Sequence, residues 1–105
     1  MVDLSFTFSS ECWLWTAENQ VSWHFVSLPL DKSEEIKFFS ENLQVKKRGW
    51  GAVRVIASIG KTSWQTSIFP QAKAKAYILP IKADVRKSEN IALGDTIKIA
   101  LKINM

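Results

Sequence analysis

"LPIKADVRKSENIALGDTIKI", residues 79–99, carries a strand end, a short helix and a strand start in immediate succession. Leu79-Pro80 closes a strand, because a proline cannot donate to a sheet ladder. "KADVRKS" then reads as a short helix that can bury little beyond Val85. Asn90 and the Gly94-Asp95 turn end that helix and hand the chain to a new strand, "TIKI". Strand, small covering helix and strand in close succession make a compact half of a small β-barrel.

Working outward, alternation is the main signal. In "DTIKIALKI", Ile97, Ile99, Leu101 and Ile103 share one face, and Lys98, Ala100 and Lys102 share the other. That pattern is a half-buried strand with a solvated outer face. "GAVRVIASI" repeats it, with Val53, Val55, Ala57 and Ile59 inward and Arg54 outward. "LSFTF" places Leu4, Phe6 and Phe8 inward. "VSWHFVSLP", "SWQTSIFP" and "AYILP" are three further strands, each ended by a proline. A longer helix is predicted over "DKSEEIKFFSENL". Asp31 is its N-cap, Glu34 gives capping-box spacing, and Ile36, Phe39 and Leu43 fall on one face.

The resulting order is β-β-α-β followed by β-β-α-β. The halves align on their punctuation: "HFVSLP" matches "AYILP", and "VRV" after a glycine matches "IKI" after a glycine. The chain is read as one domain, residues 1–105, built by internal duplication with repeats at roughly 4–59 and 60–103. Each half alone would expose sheet edges. Two halves are expected to close a six-stranded β-barrel within one chain, so a folded monomer is expected.

Composition fits a globular domain. Of 105 residues, 47% are apolar, which excludes a disordered chain. Fourteen Lys/Arg against ten Asp/Glu give a formal charge of +4. That permits an anionic partner without demanding one. The single Cys12 rules out an intramolecular disulfide, and the absence of a Cys/His cluster argues against zinc. No cofactor is expected. No segment resembles a secretory signal or a membrane span, since Arg54 interrupts even "AVRVIASI". A reducing, cytoplasmic location with no membrane partner is the expectation.

Two resemblances add to this reading. "RGWGAVRVIASIG", "SWQTSIFP", "YILPIKADVRK" and "LGDTIKIAL" together resemble the bacterial family known only as domain of unknown function nineteen-oh-five (DUF1905). The resemblance covers nearly the whole chain. It implies a compact β-barrel domain and no established activity. Members are sometimes joined to a bacteriocin-protection domain of the YdeI or OmpD-associated type, which this sequence does not carry. After Phe69-Pro70, where the family often has a glycine turn, this chain has "QAKAKA". Separately, the opening stretch is similar to the half-barrel of AbrB and MazE-like regulators and antitoxins. Those proteins assemble their barrel from two chains and bind DNA. The similarity implies a double-split, AbrB-like architecture with both half-barrels in one chain.

Residues able to carry chemistry are few. His24, the only histidine, sits in a strand between Trp23 and Phe25 and reads as structural. Cys12 reads as a small core residue on the face of Phe6, Phe8 and Leu14. Glu34-Glu35 suits a helix N-terminus. Gly60-Lys61-Thr62-Ser63 lacks the flanks of a phosphate loop. No nucleophile, base and metal fall together, so no enzyme is expected.

The tryptophans are more informative. An unbroken first strand puts Trp13 and Trp15 on the outer side with Ser5 and Thr7, whereas a bulge near Ser9-Ser10 returns them to the core. Both arrangements fit the sequence. Trp64 alternates with Gln65 and reads as core. Trp50, between Gly49 and Gly51, can anchor a loop or wall a pocket. The cations form two groups, Lys46-Lys47-Arg48 before that turn and Lys82, Arg86 and Lys87 on the short helix.

The expected function is a non-catalytic binding or interaction module, for a small anionic ligand or a protein. Its ligand-binding residues are Arg48, Trp50, Lys82 and Arg86. The alternative is an AbrB/MazE-like DNA-binding regulator, which the modest charge does not favour.

Overall fold

The computed structural model describes residues 3–16, 18, 21–42, 52–71 and 76–104. In chain order the elements are β1 (Asp3–Glu11), β2 (Trp13–Thr16), β3 (Ser22–Ser27), α1 (Leu30–Asn42), β4 (Val53–Ile59), β5 (Thr62–Gln71), β6 (Ala76–Pro80), α2 (Ala83–Ser88) and β7 (Thr96–Asn104). The strands form one antiparallel sheet in the order β1-β7-β4-β5-β6-β3-β2.

The alternation read from the sequence sets which side of each strand faces the core. Ile97, Ile99, Leu101 and Ile103 of β7 and Val53, Val55, Ala57 and Ile59 of β4 are buried. Their partners Lys98, Lys102 and Arg54 are exposed. Phe8 and Trp64 are buried too, and Leu4 and Phe6 pack against the same core while half-buried. Burying these side chains is the main favourable contribution to the folding of the sheet.

The closed six-stranded barrel is corrected. Among the described residues the sheet has seven strands and remains an open half-barrel. The reason lies at Cys12. The first strand does not run unbroken. Cys12 leaves the ladder, its side chain is buried, and its backbone is pinned to the β7 side by Cys12 N–H to Asp95 O and Gly94 N–H to Cys12 O, both 2.9 Å. Before this point β1 pairs with β7, and after it β2 pairs with β3 at the opposite end of the sheet. Between the two ends the seam carries side-chain bonds. Ser10 Oγ donates to Ser27 O at 2.8 Å, and Trp13 Nε1 donates to Ser27 Oγ at 3.0 Å.

Two local expectations also change. Pro70 does not end its strand: β5 continues to Gln71, with Pro70 opposite Tyr77. Beyond Ile68 the strand partner of β5 is β6, and a position at the margin of the β4 ladder tolerates a residue with no N–H. The long helix starts at Leu30, one residue before the expected N-cap, and Ser33 N–H bonds Pro29 O at 2.9 Å. Asp31 therefore lies inside the first turn, where its charge suits the helix dipole. Of the apolar face, Ile36 is buried. The Phe39 side chain and Leu43 lie outside the described residues.

What docks α1 is partly polar. Ser33 is buried, and its Oγ accepts the Tyr77 N–H of β6 at 2.9 Å. Lys32 Nζ lies 5.5 Å from the Phe6 ring centroid, a cation–π contact at the β1 side. α2 ends in a Schellman motif. Ile91 N–H bonds Arg86 O at 2.8 Å, Asn90 N–H bonds Lys87 O at 3.4 Å, and Asn90 takes φ 56°. Asparagine is among the few residues that adopt that conformation cheaply. Val85 is the buried residue of this helix.

Candidate functional site

A gap in the sheet wall makes the site. β6 ends at Pro80, and β3 pairs with it only from Phe25 to Ser27. β5 meets it only from Phe69 onward. The ends of β3 and β5 therefore part, and residues 80–86 fill part of the space. A cleft of about 390 Å³ remains, within the range of small-molecule sites. Trp23, His24, Trp64, Gln65, Lys82 and Arg86 are among its lining residues.

The polar groups of the lining that bear on binding are His24, Lys82 and Arg86. Ile81 N–H bonds His24 O at 2.8 Å, which ties the start of α2 to β3. Arg86 is half-buried, and its Nε donates to Ile81 O at 3.2 Å. That bond orients the guanidinium and uses one of its five N–H groups. Lys82 is exposed at the N-cap of α2. His24 Nδ1 is buried and has no hydrogen-bond partner among the described residues. Burial lowers the His24 pKa, and the Arg86 charge lowers it further. The imidazole is thereby held neutral, able to donate from one nitrogen and accept at the other. Among the described residues, no carboxylate lines the cleft.

Of the four residues expected from sequence, Lys82 and Arg86 meet in this cleft. Arg48 and Trp50 lie outside the described residues. The chain belongs to DUF1905.

That identification rests on the family model described as "Domain of unknown function (DUF1905)", which matches residues 8–101, nearly the whole domain. No curated protein matches the chain. The family description assigns no activity, so for this DUF1905 domain the chemistry of the cleft must be read from its own residues.

Sequence reasoning missed four of them as site residues: Trp23, His24, Trp64 and Gln65. The density of aromatics around the only histidine was the available signal. What hid them is that β3 and β5 are distant in sequence and meet only through the end of β6. Cys12 offers no reactive thiol beside them. It is buried, and burial raises its pKa, which the Arg86 charge opposes and the Asp95 charge reinforces. Leu14, expected on the Cys12 core face, is exposed at the open end of the sheet.

The tryptophans of β2 settle on the outer face. Trp13 stands opposite Phe25 and Trp15 opposite Trp23. Trp13 and Phe25 stack with ring centroids 5.1 Å apart. Trp15 and Trp23 are 50% and 52% exposed, too open for core residues. No bulge returns them inward, since the break falls at Cys12.

Proposed function

We propose that this DUF1905 domain is a non-catalytic binding module, and that its cleft takes a small anionic ligand carrying a flat apolar part. The observation that carries this reading is the convergence of Lys82 and Arg86 with Trp23 and Trp64 in a lining that, among the described residues, holds no carboxylate. Arg86 supplies a planar donor for a phosphate or carboxylate. Trp23 supplies an exposed ring for stacking. The neutral His24 adds a buried nitrogen in need of a partner.

Tryptophan fluorescence titrated with mononucleotides, anionic sugars and inorganic phosphate tests it. A ligand of the proposed class should quench or shift the emission. Arg86→Ala should weaken binding at least tenfold, and Lys82→Ala, at an exposed position, should weaken it without touching the fold. A ligand that binds both variants and Trp23→Ala as tightly as the parent overturns the site.

A further inference from the structure

The cleft is one of three depressions that adjoin across the outer face of the sheet. It shares Gln65 with a shallow depression of about 190 Å³ that includes Arg54, Ile56 and Lys102. That one shares Ile56 and Lys102 with a third, about 330 Å³, whose lining includes Ser5, Thr7 and Ser58. Register explains the continuity. Ile56 of β4 stands opposite Gln65 of β5 on one side and Lys102 of β7 on the other, so the three form a row across the strands. On the other side of the cleft, Trp23 stands opposite Trp15, and the Trp13–Phe25 stack follows.

An aromatic ladder thus runs into a cleft with two cations and on to a row with two more. Among the described residues, no Asp or Glu lines any of the three depressions. We propose that this outer-face track binds single-stranded nucleic acid. Bases stack on Trp15 and Trp23. Phosphates meet Lys82 and Arg86 in the cleft, then Arg54 and Lys102 beyond it. The proposal rests on the cleft reading above and extends it from one small anion to a polymer.

The chemistry selects a single strand. Stacking is open to every base because each has a π-face, and a groove of cations tracks the backbone. A duplex hides its ring faces in its own stack, so Trp15 and Trp23 would gain nothing from it. Paired neighbouring strands lie about 4.8 Å apart, so β2 and β7, five steps apart in the sheet, are separated by at least roughly 24 Å along the surface, and by more where β3 and β5 part at the cleft. That length suits about four nucleotides, the lower end for small β-barrel readers.

The test is fluorescence anisotropy on the intact chain. Labelled single-stranded DNA and RNA of increasing length are compared with a mononucleotide, a duplex of equal length and a sulfated oligosaccharide. Affinity should rise with length up to about four nucleotides or more. Trp15→Ala should weaken oligonucleotide binding at least fivefold. The double variant Arg54→Ala/Lys102→Ala should leave mononucleotide binding unchanged, weaken the oligonucleotide and flatten its salt slope by about 1.4. These three positions are solvent-exposed, and circular dichroism should confirm that the variants fold. A mononucleotide that binds as tightly as any oligonucleotide overturns the track and leaves the cleft reading standing. Oligonucleotide binding untouched by Arg86→Ala and Lys82→Ala removes the cleft instead. Equal or tighter binding of the duplex or the sulfated sugar overturns the single-strand proposal, as does an oligonucleotide that fails to bind at low salt.

Discussion

Thr62 donates its hydroxyl hydrogen to Glu89 Oε2 across 2.6 Å, joining the tip of the β4–β5 hairpin to the C-cap of α2. The two residues are 27 apart in sequence. Between β4 and β5 stands a two-residue turn, Gly60-Lys61, with Gly60 at φ 57°. Positive φ at the first turn residue is the demand of a type II′ hairpin turn. A Cβ at Gly60 would also collide with the Glu89 carboxylate.

Gly60→Ala is therefore expected to cost about 1–3 kcal/mol. About 1–2 kcal/mol is left-handed backbone strain. The Glu89 carboxylate is the end of a flexible side chain and can swing aside, so the rest is its bond to Thr62, a charge-assisted contact. Gly94→Ala is the control: its φ of 89° is strained likewise, but nothing lies within 4 Å of its added Cβ. Urea denaturation of both variants measures the difference. Equal losses would mean that the Glu89 contact contributes nothing.

Ile99→Ala should cost roughly 2–5 kcal/mol, from lost transfer energy and an unfilled cavity. Ile99 is fully buried, whereas Lys98 beside it faces water. Lys98→Ala should stay within about 0.5 kcal/mol of the parent. Chemical denaturation of the pair reads the strand register directly, and similar losses would contradict it.

Acid should weaken the fold through His24. Burial first, and Arg86 second, hold its folded pKa below the ordinary value. The unfolded chain therefore binds more protons as pH falls through the window beneath about 6.5. This contribution is fully present above that value and is lost on acidification. Denaturation midpoints of the parent and His24→Phe, compared at about pH 7.5 and about pH 5.5, isolate it from the carboxylates. The gap between the two proteins should shift towards His24→Phe at the lower pH. Parallel profiles would show that the histidine is not held neutral.

The Cys12 thiol should resist modification in the native protein. Its side chain is buried and burial raises its pKa. A thiol-specific reagent at neutral pH should react slowly with the folded chain and rapidly in denaturant, because only the thiolate attacks. Equal rates in both conditions would mean that the break between β1 and β2 leaves the sulfur open.

How much of the site could be read beforehand is clearest from Lys82 and Arg86. Their spacing placed two cations on one side of the short helix, and both line the cleft. His24 was legible only as a lone histidine among aromatics, a pattern that core positions share.

The features legible in the order of residues are local. Period-two alternation assigns Ile97 to Ile103 and Val53 to Ile59 their inward faces, since successive strand side chains point to opposite sides whatever their partners. Pro80, Asn90 and Gly94 mark the ends of β6 and α2 and the turn before β7, because proline fixes its own φ and lacks an N–H, whereas asparagine and glycine accept the positive φ that a helix end or turn demands. Tertiary structure alone decided that the first strand divides at Cys12 and that its two parts pair at opposite ends of an open sheet. Alternation cannot report this, because a strand's face pattern is the same with either neighbour. Tertiary structure also decided that Trp23, His24, Trp64 and Arg86 share one cleft. Their meeting depends on where β6 stops between β3 and β5, a contact between distant segments that no local pattern encodes.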